Sequence, residues 1–106
     1  MSYKVRRSSI KESSVEDYFV REVERAGGMT PKLKDTGRKG FPDRTVIWPA
    51  YGFARIHFVE LKTIGGKCES WQIRYHNDLR KLGAAVYVLW TIKQVDDYVG
   101  EYRVSV

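Results

Sequence analysis

The chain has 106 residues, 42% of them hydrophobic and spread along its length, with 19 Lys and Arg against 13 Asp and Glu. That size admits one domain with one modest core, and with no run of roughly 20 apolar residues and no secretory signal the chain is expected to be soluble and intracellular. The net charge of +6 attracts polyanions, as would that of a ribosomal or simply well-solvated basic protein, while Cys68, His57 and His76 are too few for a disulfide or a four-ligand zinc cluster, leaving oxygen donors for any functional metal.

Residues 1 to 12, with Lys4, Arg6, Arg7 and Lys11, read as a basic arm, and residues 13 to 106 as a single domain. From Ser13, Val15, Phe19, Val23 and Ala26 recur at helical spacing and stop at Gly27-Gly28. Met29 to Leu33 is compatible with a short strand, and Lys34 to Gly40 with a polar loop. Thr45 to Trp48 and Arg55 to Lys62 are rich in β-branched and aromatic residues around Pro49-Ala50-Tyr51-Gly52, which predicts a hairpin. Trp71, Tyr75, Leu79 and Leu82 form the apolar stripe of a second helix that stops at Gly83. Ala85 to Trp90 reads as a buried strand, and Lys93 to Val99 as a closing helix. The order α-β-β-β-α-β-α, with a helical crossover between the last two strands, predicts an α/β fold: a mixed β-sheet flanked by helices.

The chemistry concentrates in two segments, Gly40-Phe41-Pro42-Asp43-Arg44 and Phe58-Val59-Glu60-Leu61-Lys62. Side chains alternate along a strand, so Glu60 and Lys62 share a face. A hairpin turning at Tyr51 and Gly52 sets Asp43 across from Glu60. Two carboxylates so placed repel unless a cation lies between them, and Mg²⁺ is suited by one or two carboxylates with waters and phosphate oxygens. Lys62 beside them suits orientation of an attacking water or stabilisation of charge building on a phosphate. The structural alternative is an ion pair between Glu60 and Lys62 and a plain turn at Pro42-Asp43. It is disfavoured because Phe58, Val59 and Leu61 imply burial, where charges need partners. On this reading Asp43→Ala and Glu60→Ala lose cleavage while relieving repulsion, so the metal-free protein keeps or gains stability.

Glu16 in the leading helix, Gly27-Gly28 followed by Lys32, the Gly40 to Arg44 segment, Phe58-Val59-Glu60-Leu61-Lys62 and Gln72 occur in the order in which this chain resembles the VRR-NUC (virus-type replication-repair nuclease) domain of the PD-(D/E)XK nucleases. The resemblance spans almost the whole chain, and stand-alone phage and prophage members are the most similar type. It implies a restriction-endonuclease-like core and a Mg²⁺- or Mn²⁺-dependent endonuclease that hydrolyses DNA phosphodiesters. Asp43 and Glu60 would bind metal, with the backbone of Leu61 or Val59 as a further ligand, and Lys62 would be catalytic. Gln72 would face the active centre, its alternative being an idle surface glutamine. Glu16 would lie near the metal, although Ser13-x-x-Glu16 is also a capping box.

Lys32, Lys34, Arg38, Lys39 and Arg44 surround this site in sequence and are candidates for holding phosphates. Tyr75 and His76 are either core or substrate contacts. The resemblance further implies branched DNA such as Holliday junctions, a homodimer, and action in the cytoplasm of a bacterial or phage-infected cell. A surplus of aromatics at Trp48, Tyr51, Phe53, Tyr98 and Tyr102 is compatible with a subunit interface, or with completion of the core. The rivals are a flap or duplex nuclease of repair or restriction type, and a non-catalytic DNA-binding subunit; the latter gains nothing from carboxylates facing phosphates.

Overall fold

The computed structural model describes residues 12 to 49 and 55 to 103. Helix α1 (Glu12–Arg25) leads into a hairpin of β1 (Arg44–Trp48) and β2 (Arg55–Leu61). Helix α2 (Ser70–Lys81), strand β3 (Ala85–Leu89) and helix α3 (Ile92–Tyr102) follow. The sheet order is β1-β2-β3, antiparallel between β1 and β2 and parallel between β2 and β3. Among the described residues no helix is long and apolar enough to cross a membrane.

The helices start and stop where local chemistry dictates. Gly27, at φ 102°, ends α1 in a left-handed turn that costs a residue with a Cβ far more. Its amide bonds to the Glu24 carbonyl and that of Gly28 to the Val23 carbonyl, which satisfies the last turn. Helix α1 already includes Glu12, so Ser13 lies inside the helix instead of capping it. Residues 1 to 11, expected as a basic arm, and Tyr51 and Phe53 lie outside the described residues. Helix α3 is longer than expected at both ends because Thr91 caps it, its side chain accepting the Gln94 amide, and because Tyr98, Val99 and Tyr102 continue its buried stripe.

The strand expected over Met29 to Leu33 shrinks to one bridge, Met29 with Ile47. Pro31 is the reason. Its carbonyl still accepts the Thr45 amide at 3.2 Å, but it has no N–H to return. The Thr45 carbonyl instead takes the Thr30 hydroxyl, at 2.9 Å.

Alternation along β2 divides the protein into two layers. Val59 and Leu61 point to one side, where they join Val46 and Trp48 of β1 with Val15, Phe19 and Val23 of α1 and Val95, Tyr98 and Val99 of α3 in one core. Phe58 and Glu60 point to the other side, which α2 covers. Trp48 is fully buried and its indole N–H donates to the Tyr98 hydroxyl, so Trp48 and Tyr98 complete the core and are not available to a partner.

His57 sits in that core, with Nδ1 2.9 Å from the Tyr98 hydroxyl. Burial, helped by the nearby Arg55 charge, lowers its pKa below the ordinary 6.5. As pH falls through 6.5 the unfolded chain takes up a proton that the folded protein accepts only at lower pH, so stability present above that value is lost below it. Thermal unfolding between about pH 7.5 and pH 5 is expected to show a falling midpoint that His57→Gln flattens. An unchanged slope in His57→Gln would assign the acid sensitivity to other groups.

Candidate active site

Glu60 is the centre of the α2 side. Its side chain is 1% exposed in the middle of the sheet, a position that a carboxylate occupies only with compensation. Gln72 Nε2 donates to Glu60 Oε2 at 2.7 Å, and Lys62 Nζ stands 3.2 Å from the same oxygen. Glu60 Oε1 is buried and accepts no hydrogen bond. The ion pair of Glu60 and Lys62, disfavoured from sequence as a purely structural alternative, is present, but as part of a buried network and not on an exposed strand.

Gln72 organises that network. Its Oε1 accepts both the Glu69 amide, at 2.8 Å, and Lys62 Nζ, at 3.2 Å, while its amide nitrogen serves Glu60. One side chain thus caps the start of α2 and fixes the acid and the ammonium of β2. The buried stripe of α2 was expected to run through Trp71, Tyr75, Leu79 and Leu82. The structure corrects this: Trp71 is 37% and Leu82 87% exposed, whereas His76 is 2% exposed. The inward face of α2 runs through Gln72 and His76, one turn apart, because a buried Glu60 beneath the helix requires polar partners.

Asp43 reaches the same place by a different route. The hairpin register pairs Arg44 with Val59, so continuing it by one residue brings Asp43 level with Glu60. Asp43 Oδ2 accepts the Leu61 amide at 2.8 Å. The preceding residues hold it there. Phe41 wedges edge-on between Phe58 of β2 and Tyr75 of α2, with ring centroids 5.6 and 5.5 Å away. Gly40, at φ 105°, lies so near α2 that an added Cβ would be 2.5 Å from the Trp71 carbonyl oxygen.

The loop before Asp43 is pinned to α2 by its own side chains. The Tyr75 hydroxyl donates to Asp35 at 2.6 Å, and Arg38 pairs with Asp78 at 2.8 Å while lying 4.2 Å above the Tyr75 ring. Lys39 Nζ is 4.4 Å from the centre of the Trp71 ring. These contacts border a groove of about 740 Å³ whose lining includes Lys32, Lys34, Arg38, Lys39 and Asp43. The hydrogen bond from Tyr75, with that from the Gly37 amide next, holds the Asp35 carboxyl below its ordinary pKa.

Arg44 and Glu16 belong to the other layer. Arg44 Nε donates to Glu16 Oε2 at 2.8 Å, its Nη1 to the Thr30 carbonyl at 3.0 Å, and Lys32 reaches Glu16 at 3.3 Å. Arg44 is therefore largely committed within the protein, whereas Lys34 and Lys39 are exposed. Among the described residues no three His, Cys, Asp or Glu side chains converge tightly enough to hold a metal between them, so Glu16 does not form a ready-made triad with Asp43 and Glu60. Burial, and secondarily the Glu60 charge, raise the pKa of Cys68, which leaves a neutral thiol beside the site at neutral pH.

No family model matches the chain. A protein of Acyrthosiphon pisum secondary endosymbiont phage 1, described as "Putative nuclease p44", is 42% identical over 80 residues, which are 76% of this chain and 83% of that protein. A solved structure described as "VRR_NUC domain" is 40% identical and superimposes with a TM-score of 0.78, over 89% of this chain and 99% of that one. The chain belongs to the VRR-NUC nuclease family.

Within this VRR-NUC domain the residues singled out from sequence fall into two groups. Asp43, Glu60, Lys62 and Gln72 meet at the α2 side of β2, and Glu16 and Arg44 pair on the α1 side. Sequence reasoning left His76 undecided, passed over Asp35 and assigned Trp71 to the buried stripe. His76 had one usable signal: it lies four residues from Gln72, hence on the same helical face.

Proposed function

We propose that the chain is a divalent-metal-dependent DNA endonuclease whose centre is formed by Asp43, Glu60, Lys62 and Gln72. The observation that carries this reading is the buried Glu60 carboxylate, tied to Lys62 and Gln72 on one oxygen and accepting no hydrogen bond on the other. Such an oxygen, with Asp43 one register position across, fits a hard cation. Mg²⁺ or Mn²⁺ would be held by Asp43 and Glu60, with the Leu61 or Val59 carbonyl as a further donor, and phosphate oxygens and waters sufficing for the rest. When bound, the ion polarises the phosphodiester and acidifies a water.

The chain's own residues do the remainder. Lys62, 14% exposed and oriented by Gln72, offers an ammonium where charge grows on the phosphate. Lys32, Lys34, Arg38 and Lys39 line the same groove as Asp43 and suit the DNA backbone. Arg44 acts with Glu16, setting the β1 end from which Asp43 projects. Glu16, paired with Arg44 on the α1 side, is proposed to support the metal from outside its ligand set, through the β1 end that carries Asp43. Glu16→Gln keeps its size but loses its charge, and cleavage is expected to fall roughly 10–100-fold with weaker Mn²⁺ binding. Unchanged Mn²⁺ affinity and turnover would reduce Glu16 to a structural ion pair with Arg44 and Lys32.

The preferred substrate in this reading is branched DNA such as a four-way junction, cut by a homodimer in the cytoplasm of a bacterial or phage-infected cell. A two-fold junction presents two equivalent strands, and two copies of the domain present two centres with the same symmetry. The buried Trp48 and Tyr98 lend no support to an aromatic interface, so the dimer rests on this symmetry and on the likeness to stand-alone phage members. The test is a panel of labelled four-way junctions, flaps and duplexes with Mg²⁺ or Mn²⁺, alongside light scattering. Paired nicks across a junction by a dimer are expected. A monomer giving single nicks in flaps or duplex would replace the junction reading with a repair-type nuclease.

A further inference from the structure

Resting on the reading of Glu60 as a metal ligand, we propose that His76 is a positioning residue whose imidazole holds Glu60 Oε1 in line for the ion. Two observations meet here. Glu60 Oε1 and His76 Nε2 are both buried without a hydrogen-bond partner, and they face one another at 3.7 Å, just beyond hydrogen-bond length. The two side chains are 1% and 2% exposed, so both groups are shut off from bulk solvent.

Leaving two such groups buried and unbonded is costly, and a sequence that needed only packing would place an apolar residue at position 76. The imidazole with its proton on Nε2 presents an N–H to Oε1. A carboxylate oxygen has two lone pairs, so an N–H directed at one leaves the other for a cation. Oε2 is already fixed by Gln72 and Lys62. With His76 on the second oxygen the carboxylate can neither rotate nor be drawn onto Lys62 alone. Gln72 and His76 stand one turn apart on α2, so a single helix face sets both oxygens of the acid. Such outer partners of a ligand typically change metal affinity or activity about 10–100-fold when removed.

The test compares His76→Leu, which keeps bulk without a donor, with His76→Gln, whose amide nitrogen can take the place of Nε2. Mn²⁺ affinity is read by calorimetry on DNA-free protein, together with KM for DNA, kcat and the thermal midpoint. His76→Leu is expected to weaken Mn²⁺ binding about 10–100-fold and to raise the Mn²⁺ needed for half-maximal cleavage, with KM for DNA unchanged. His76→Gln should recover most of both. Should His76→Leu fail to fold, His76→Phe, which keeps a ring, takes its place in the comparison. Wild-type Mn²⁺ affinity in the donor-free variant, or His76→Gln as weak as His76→Leu, overturns the positioning role. Glu60→Gln separates the two levels of the argument. If it loses Mn²⁺ affinity while His76→Leu does not, only the role of His76 falls; if Glu60→Gln binds Mn²⁺ like wild type, both fall.

Discussion

Glu60→Gln is expected to reduce DNA cleavage by more than about 10³-fold, the scale seen when a group central to a catalytic unit is removed. The substitution preserves shape and can still accept the hydrogen bond from Gln72, so its effect isolates the charge. Without that charge a divalent ion loses its buried ligand and Lys62 loses the partner that holds its ammonium 3.2 Å away. Stability should move in the direction opposite to the expectation from sequence alone, in which removing a carboxylate relieves repulsion with Asp43. The structure places Glu60 in a network that compensates its charge, and Asp43 is itself engaged by the Leu61 amide. Glu60→Gln should therefore cost about 1–3 kcal/mol, as for a buried partner left poorly satisfied. Glu60→Ala, which also leaves Lys62 and Gln72 facing a void, should cost about 3–5 kcal/mol. Chemical denaturation of the metal-free protein measures both. Wild-type cleavage by a folded Glu60→Gln would remove Glu60 from the centre.

Lys62→Met should lower kcat roughly 10²–10³-fold, the range for loss of a group that stabilises transition-state charge, and leave KM for DNA nearly constant. Methionine retains most of the side chain's apolar length, so the comparison reports the ammonium and not the packing. The substitution also leaves Glu60 and Gln72 without a shared cation, and Mn²⁺ affinity should stay equal or rise as the competing positive charge disappears. That sign separates Lys62 from Asp43 and Glu60, whose loss weakens metal binding. A pure rise in KM with unchanged kcat would make Lys62 a DNA-binding residue instead.

The hairpin was legible because its register follows from strand alternation and the position of its turn. Asp43 and Glu60 come level as that arithmetic requires, and Lys62 follows on the same face as Glu60. Helix α1 was equally plain, since Val15, Phe19 and Val23 have no competing pattern. The inward face of α2 was misread for a specific reason. Trp71 and Leu82 were assigned to the core as the ends of an apolar stripe, but the strand beneath carries a buried acid, and hydrogen-bonding demand outweighed apolarity. No periodicity argument reveals that demand without the partner strand. The Met29 bridge failed to extend because of one missing amide at Pro31, a detail visible in sequence yet decisive only once the neighbouring strand is known. The separation of Glu16 and Arg44 from Glu60 depends on which side of the sheet each helix packs, which chain order does not fix.

The most direct measurement of the central claim is the cleavage rate of labelled DNA as a function of added Mg²⁺ or Mn²⁺, with excess EDTA as the zero point, for the wild type and Glu60→Gln in parallel. The expected result is no cleavage in EDTA, saturable activity as either ion is restored, and no activity in Glu60→Gln at any concentration that saturates the wild type. Cleavage that persists in excess EDTA, or a Glu60→Gln protein that follows the wild-type curve, would contradict a metal-dependent centre built on Asp43 and Glu60.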